Sequence, residues 1–240
     1  MEKNKRPVIG VNASYLEDEH RWYRVPENYV RAIYDCGGLP LIFPCTADRD
    51  MLEAYIAQAD GMLFTGGADY PPSRYGEVPH ALTAPMNERR ADTDMLLAGM
   101  VLNETDLPVL GICAGHQLLA IAGGGKLIQH LDTAAAHAGN HDKSHTVDIK
   151  DGKWLKSIFN TTSIIVNSNH HQAVDPQHVP GNYDITAVSP DDGVIEAMEM
   201  RGERFVLGLQ WHPERVEDID HRRAIFEFFI EKTRERILTE

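Results

Sequence analysis

The stretch Gly111-Ile112-Cys113-Ala114-Gly115-His116-Gln117 constrains this chain more than any other. An apolar run, Leu107-Pro108-Val109-Leu110, leads into it, and Leu118-Leu119-Ala120-Ile121-Ala122 leads out. The pattern reads as strand, sharp turn and helix. Glycines two residues either side of a cysteine permit a tight, strained turn. Such a turn lifts the side chain clear of a sheet and sets it against the N-terminus of the next helix. The positive end of the helix dipole there favours thiolate over thiol. Cys113 is therefore the candidate nucleophile. The competing reading is a buried cysteine at a strand end, with the glycines kept for packing.

A second motif favours the first reading. Phe205-Val206-Leu207-Gly208-Leu209 reads as a strand and runs into Gln210-Trp211-His212-Pro213-Glu214. A cysteine nucleophile needs a base that takes its proton and later protonates the leaving group. Histidine does this near neutral pH, and a carboxylate on its other ring nitrogen fixes the tautomer. His212 and Glu214 are two residues apart, and in extended geometry such side chains share one side. Alone, the segment could be a surface turn of unrelated polar residues. Beside a cysteine elbow it completes a nucleophile, base and orienting acid.

Bulk properties narrow the class. A chain of 240 residues supports one α/β domain with a substantial core. The net charge of −13 argues against nucleic acid or an anionic membrane as partner. No run of apolar residues is long enough to span a bilayer. The first six residues lack the apolar segment of a signal peptide, so a cytoplasmic location is expected. The cysteines number three, too few for a disulfide framework, and Cys36 and Cys45 read as inert packing residues. A reducing compartment suits a free catalytic thiol.

The first half alternates strand-like and helix-like segments. Strands are expected at 8–11, 39–43, 61–64 and 107–112, with helices at 27–36, 48–58, 89–103 and 115–122. Asp48 is the expected N-cap of the second helix. This alternation means βαβ units and a parallel sheet, with ligands at the carboxyl ends of the strands. The second half changes character. Short strands are expected at 145–149, 163–167, 183–188, 194–200 and 205–209, with turns at 191–193 and 201–203. The expected fold is thus a flavodoxin-like, mostly parallel α/β sheet flanked by helices, with an antiparallel extension. A final amphipathic helix at 219–238 would bury Ile225, Phe226, Phe229 and Ile230. Residues 69–90 show little regular pattern and read as a lid or specificity loop.

These motifs resemble the class I glutamine amidotransferase-like superfamily, which uses a Cys-His-Glu triad. Further segments resemble its γ-glutamyl-γ-aminobutyrate hydrolase branch, peptidase C26. They are Tyr29-Val30-Arg31-Ala32-Ile33, Gly37-Gly38-Leu39-Pro40, Gly66-Gly67-Ala68-Asp69, Pro72-Ser73-Arg74-Tyr75-Gly76-Glu77 and the run from Val166 to Val174. The likeness extends from about Pro7 to about Glu214. Two positions depart from that branch. Ala114 stands where it usually carries arginine, and His116 where histidine is commoner in true amidotransferases.

An acyl-transfer site must also stabilise an oxyanion. The residue after an elbow nucleophile gives one N–H, here Ala114. The resemblance points to the Gly-Gly after the 61–64 strand for the other, with Gly67 the first choice and Gly66 the second. It also implies substrate contacts from Gly66, Gln117 and His170, His170 having a satisfied loop histidine as its plain alternative. The chemistry asks for no cofactor and no metal. His137, His141 and His145 are spaced by four, but Gly139 and Asn140 interrupt any helix. Gly123-Gly124-Gly125 lacks the Lys-Ser/Thr of a phosphate loop and suits a helix C-cap.

The first functional expectation is a hydrolase of γ-glutamyl amides acting through a glutamyl thioester. The second is a glutaminase subunit supplying ammonia to a synthase on another chain. The third is a non-catalytic binding protein on the same fold. A homodimer, the amine leaving group and the pathway are left open.

Overall fold

The computed structural model describes residues 6–132 and 143–239. Its centre is a nine-stranded mixed sheet among the described residues. The parallel half holds β4 (Leu39–Phe43), β1 (Val8–Asn12), β5 (Gly61–Phe64), β6 (Val109–Ile112) and β13 (Val206–Leu209), in that spatial order. Then come β12 (Ile195–Met200), β11 (Tyr183–Val188), β8 (Ser144–Ile149) and β9 (Ser163–Asn167), each antiparallel to its neighbour. Parallel half and antiparallel extension are both as the sequence suggests.

Alternation along each strand builds two cores. Ile9, Val11, Leu63, Leu110, Ile112, Leu207 and Leu209 face one side, packed with α1 (Glu27–Asp35), α5 (Trp154–Phe159) and α6 (Ile219–Thr239). Met62, Phe64, Val109 and Val206 face the other, with α2 (Arg49–Ile56), α3 (Glu88–Glu104) and α4 (Ala114–Ala122). The four parallel strands inside the sheet are covered on both faces and buried along nearly their whole length, whereas the edge strand β4 leaves Leu39 and Ile42 exposed. Ile225, Phe226, Phe229 and Ile230 of α6 are fully buried. Each contributes about 1.5–3 kcal/mol by leaving water. The Asp48 carboxylate caps α2 by accepting from the Met51 N–H at 3.1 Å.

Several elements escape the sequence reading. A hairpin, β2 (Ser14–Glu17) with β3 (Arg21–Arg24), follows β1, and β7 (Leu127–Ile128) pairs with β10 (Ala173–Val174). Helix α5 has no local cap. Its first N–H groups are held by Glu199 of β12, which accepts from Lys153, Trp154 and Leu155 at 2.8–2.9 Å. The 69–87 segment is also less irregular than its sequence suggests. It contains a 3₁₀ turn, Pro72–Tyr75, and closes on itself through Asp69, whose carboxylate accepts from the Ala84 N–H at 2.7 Å.

Candidate active site

Cys113 follows β6 with φ 52° and ψ −106°. Among the described residues only Cys113 and Asn160 combine a side chain with positive φ. Strain of this kind costs about 1–3 kcal/mol and persists only where the surroundings enforce it. Here the flanking glycines allow it by close approach. A Cβ on Gly115 would lie 2.2 Å from the Phe64 carbonyl oxygen, and one on Gly111 would lie 2.7 Å from the Gly115 oxygen. The helix α4 therefore starts in contact with the ends of β5 and β6, directly behind the thiol.

The parallel pairing of β13 with β6 sets Leu209 beside Ile112. The Cys113 N–H donates to the Leu209 carbonyl at 2.7 Å. The segment leaving β13 thus runs past the sulfur. His212 reaches it, and its Nδ1 lies 2.8 Å from Glu214 Oε1. Nδ1 being used, Nε2 is the nitrogen left for the Cys113 thiol, with which the imidazole is hydrogen-bonded. Burial alone would lower the His212 pKa. The Glu214 carboxylate, the Cys113 sulfur and the hydrogen bonds to both outweigh burial and push it up to about 10. Arg215 Nε also contacts Glu214 Oε1, at 3.3 Å. The structure thus brings Cys113, His212 and Glu214 into one contact chain.

Two neighbours went unassigned in the sequence. Asn167, at the end of β9, receives the His212 N–H on Oδ1 and donates Nδ2 to the His212 carbonyl, both at 2.9 Å. This clamp fixes the backbone of the histidine. Gln210 is fully buried, and its Nε2 donates to Cys113 Sγ at 3.7 Å. Both lie inside segments that the sequence singles out, but their partners His212 and Cys113 come from other parts of the chain, so their roles emerge only where β6, β9 and β13 end together.

The 65–67 turn leaves β5 next to the elbow. The Thr65 N–H donates to Asn12 Oδ1 at 2.7 Å, and the Gly66 N–H donates to the Tyr29 hydroxyl at 2.9 Å. Burial, reinforced by Glu214, raises the Tyr29 pKa well above the usual phenol range, so the hydroxyl stays neutral. The Gly66 N–H is thus already engaged. The N–H groups of Gly67 and Ala114 make no hydrogen bond among the described residues. Ala114 opens α4, where the first N–H groups have no helical acceptor.

Gln117 and His170 are both buried. Gln117 Nε2 donates to the Gln172 carbonyl at 3.1 Å and to Gln210 Oε1 at 3.2 Å. Its amide nitrogen therefore braces Gln210. His170 Nδ1 lies 3.0 Å from the same Gln172 carbonyl, and His170 Nε2 lies 3.9 Å from Glu196. His145 is bound to Glu196 at 3.0 Å, whereas His137 and His141 lie outside the described residues. His116 points away from the thiol, into the core against Gly208, where burial lowers its pKa to about 3. It packs as a neutral side chain.

Among the described residues, no group of three or more His, Cys, Asp or Glu could hold a metal, and no helix is long and apolar enough to cross a membrane. Burial pushes the thiols of Cys36 and Cys45 up to about 11.

Comparison with known proteins agrees with this architecture. The model of the peptidase C26 family matches residues 7–214. A Mycobacterium tuberculosis protein named "Putative glutamine amidotransferase" is 36% identical over 227 residues, covering 89% of this chain and 71% of its own. Gamma-glutamyl-gamma-aminobutyrate hydrolase PuuD of Escherichia coli K12 is 30% identical over 246 residues, covering 93% of this chain and 92% of its own. A solved structure titled as a "putative gmp synthase subunit a protein" of Thermoplasma acidophilum shares the fold, with TM-score 0.68 at 21% identity over 98% of this chain and 99% of that one. The chain belongs to the peptidase C26 family and has the class I glutamine amidotransferase fold, which makes it a hydrolase or amidotransferase of that group.

Proposed function

We propose that the chain hydrolyses γ-glutamyl amide bonds through a glutamyl thioester on Cys113. The supporting observation is the Cys113–His212–Glu214 contact chain at the ends of two adjacent parallel strands. His212 takes the thiol proton and Glu214 holds the resulting imidazolium. The sulfur attacks the γ-carbonyl carbon, and the oxyanion forms against the N–H groups of Ala114 and Gly67. The C–N bond then breaks as His212 protonates the departing amine. Water, deprotonated by His212, attacks the thioester. Glutamate leaves and the thiol is restored. Gly66, Gln117 and His170 are the proposed substrate contacts.

The substrate class comes from the relatives at about 30% identity, one of which is named for a γ-glutamyl amide. Ala114 stands where the resembling hydrolases usually carry arginine, so the expected preference is for an amine other than γ-aminobutyrate, or for several amines alike. A second reading has support in the relative named as a glutamine amidotransferase: the chain would then release ammonia from glutamine for a partner synthase. A panel of γ-glutamyl amines and free glutamine, assayed for glutamate with the chain alone, separates the two. Turnover of a γ-glutamyl amine, lowered at least about a thousandfold in Cys113→Ser, supports hydrolysis. Near-normal turnover in that variant would exclude Cys113 as nucleophile. Activity on glutamine alone, and only with an added synthase, would support the second reading.

A further inference from the structure

Arg90 of α3 is 3% exposed and stands directly behind the 65–67 turn. A Cβ on Gly67 would lie 2.6 Å from Arg90 Nη1. Arg90 Nη2 donates to the Gly66 carbonyl at 3.0 Å, to the Thr65 carbonyl at 3.3 Å and to Thr65 Oγ1 at 3.2 Å. Nη1 donates to Ser14 Oγ, and Nε donates to Asp94 Oδ2 at 3.1 Å. Asp94, fully buried, also accepts from Asn12 Nδ2 at 2.8 Å and from the Tyr70 hydroxyl at 2.7 Å. Burial works against the Arg90 charge, but Asp94 outweighs it and raises the Arg90 pKa.

A buried ion pair is a poor device for stability alone, because desolvation consumes most of its Coulombic gain. Its placement suggests another use. The Gly66 carbonyl and the Gly67 N–H belong to one peptide unit, and in a trans peptide the two point in opposite directions. A guanidinium that draws the Gly66 oxygen toward α3 must turn the Gly67 N–H away from α3. If that peptide flipped, its carbonyl would lose the guanidinium, and its N–H would face a cation.

We infer that Arg90, held by Asp94, is a positioning residue that locks the Gly66–Gly67 peptide with its N–H toward the oxyanion. The inference rests on the proposed reading of Cys113. It also means that the hole is preset in the isolated chain.

The test compares Arg90→Lys and Asp94→Asn with the unaltered chain. Lysine keeps the charge, but one nitrogen cannot span Asp94 and two carbonyls. Asp94→Asn keeps the shape and removes the anchoring charge, so a folding failure in one variant leaves the other. Four quantities are read: kcat, KM, the rate of Cys113 alkylation by iodoacetamide, and affinity for the aldehyde analogue of glutamine. Alkylation forms no oxyanion, whereas the aldehyde adds the thiol and places its oxygen in the hole. Loss of one oriented donor predicts that kcat falls about a hundredfold, KM stays within about threefold and alkylation within about twofold. Aldehyde affinity falls in step with kcat. Unchanged kcat, or alkylation falling in parallel with kcat, would overturn the inference. Cys113→Ala is run alongside. Turnover surviving there would instead overturn the reading of Cys113, and this inference with it.

Discussion

His212 works between two acidic partners. Glu214 and Cys113 both favour its charged form, and together they overcome a burial that opposes it. The proton that His212 takes from the thiol is therefore held firmly, up to about pH 10, and is lost above that. Removing the Glu214 charge removes the largest raising influence, so in Glu214→Gln the proton should leave at lower pH. The alkaline limb of kcat/KM should move downward, and kcat should fall at least about a hundredfold because the tautomer is no longer fixed. A pH–rate profile checks both. An alkaline limb unmoved by the substitution would mean that Glu214 does not set the imidazole charge. At this scale the sequence was most legible where the residues are close in the chain. Cys113 between its glycines, and His212 with Glu214, need only local geometry. Arg90 and Asp94 are also four apart on one helix. Their spacing is legible, but their purpose is not, because the turn they hold comes from another strand.

At the scale of elements, the elbow depends on contacts between segments. Gly115 has no room for a methyl group, since the obstacle is the backbone oxygen of Phe64 rather than a movable side chain. Gly115→Ala should therefore destabilise the fold by about 2–4 kcal/mol, as overpacking against a rigid neighbour does. Urea unfolding would show this as a lower midpoint at unchanged slope. A midpoint within error of the unaltered chain would show that β5 and α4 can separate freely. The alternation of strands and helices was readable because apolar periodicity is a local property. Helix α5 was not, because its cap is Glu199, over forty residues later in the chain. The β2–β3 hairpin was missed because its second strand is exposed and carries no apolar alternation.

For the whole molecule, the sheet order does what no motif can state. The strands β5, β6 and β13 lie side by side although β13 follows β6 by more than ninety residues. That adjacency gathers the 65–67 turn, Cys113 and His212 at one edge of the sheet. Topology rules make the carboxyl edge the expected place for a site. They do not say which strand ends meet. The 69–87 segment is tied to the run after β9 by Asp69 and His171 at 3.0 Å. The most direct test of the account is a mass spectrum of the chain quenched in acid during turnover of a γ-glutamyl amine. A population heavier by one glutamyl group is expected, carried on the peptide containing Cys113, labile to hydroxylamine and absent in Cys113→Ala. Steady turnover with the glutamyl group on another residue, or with the Cys113→Ala chain equally active, would contradict it.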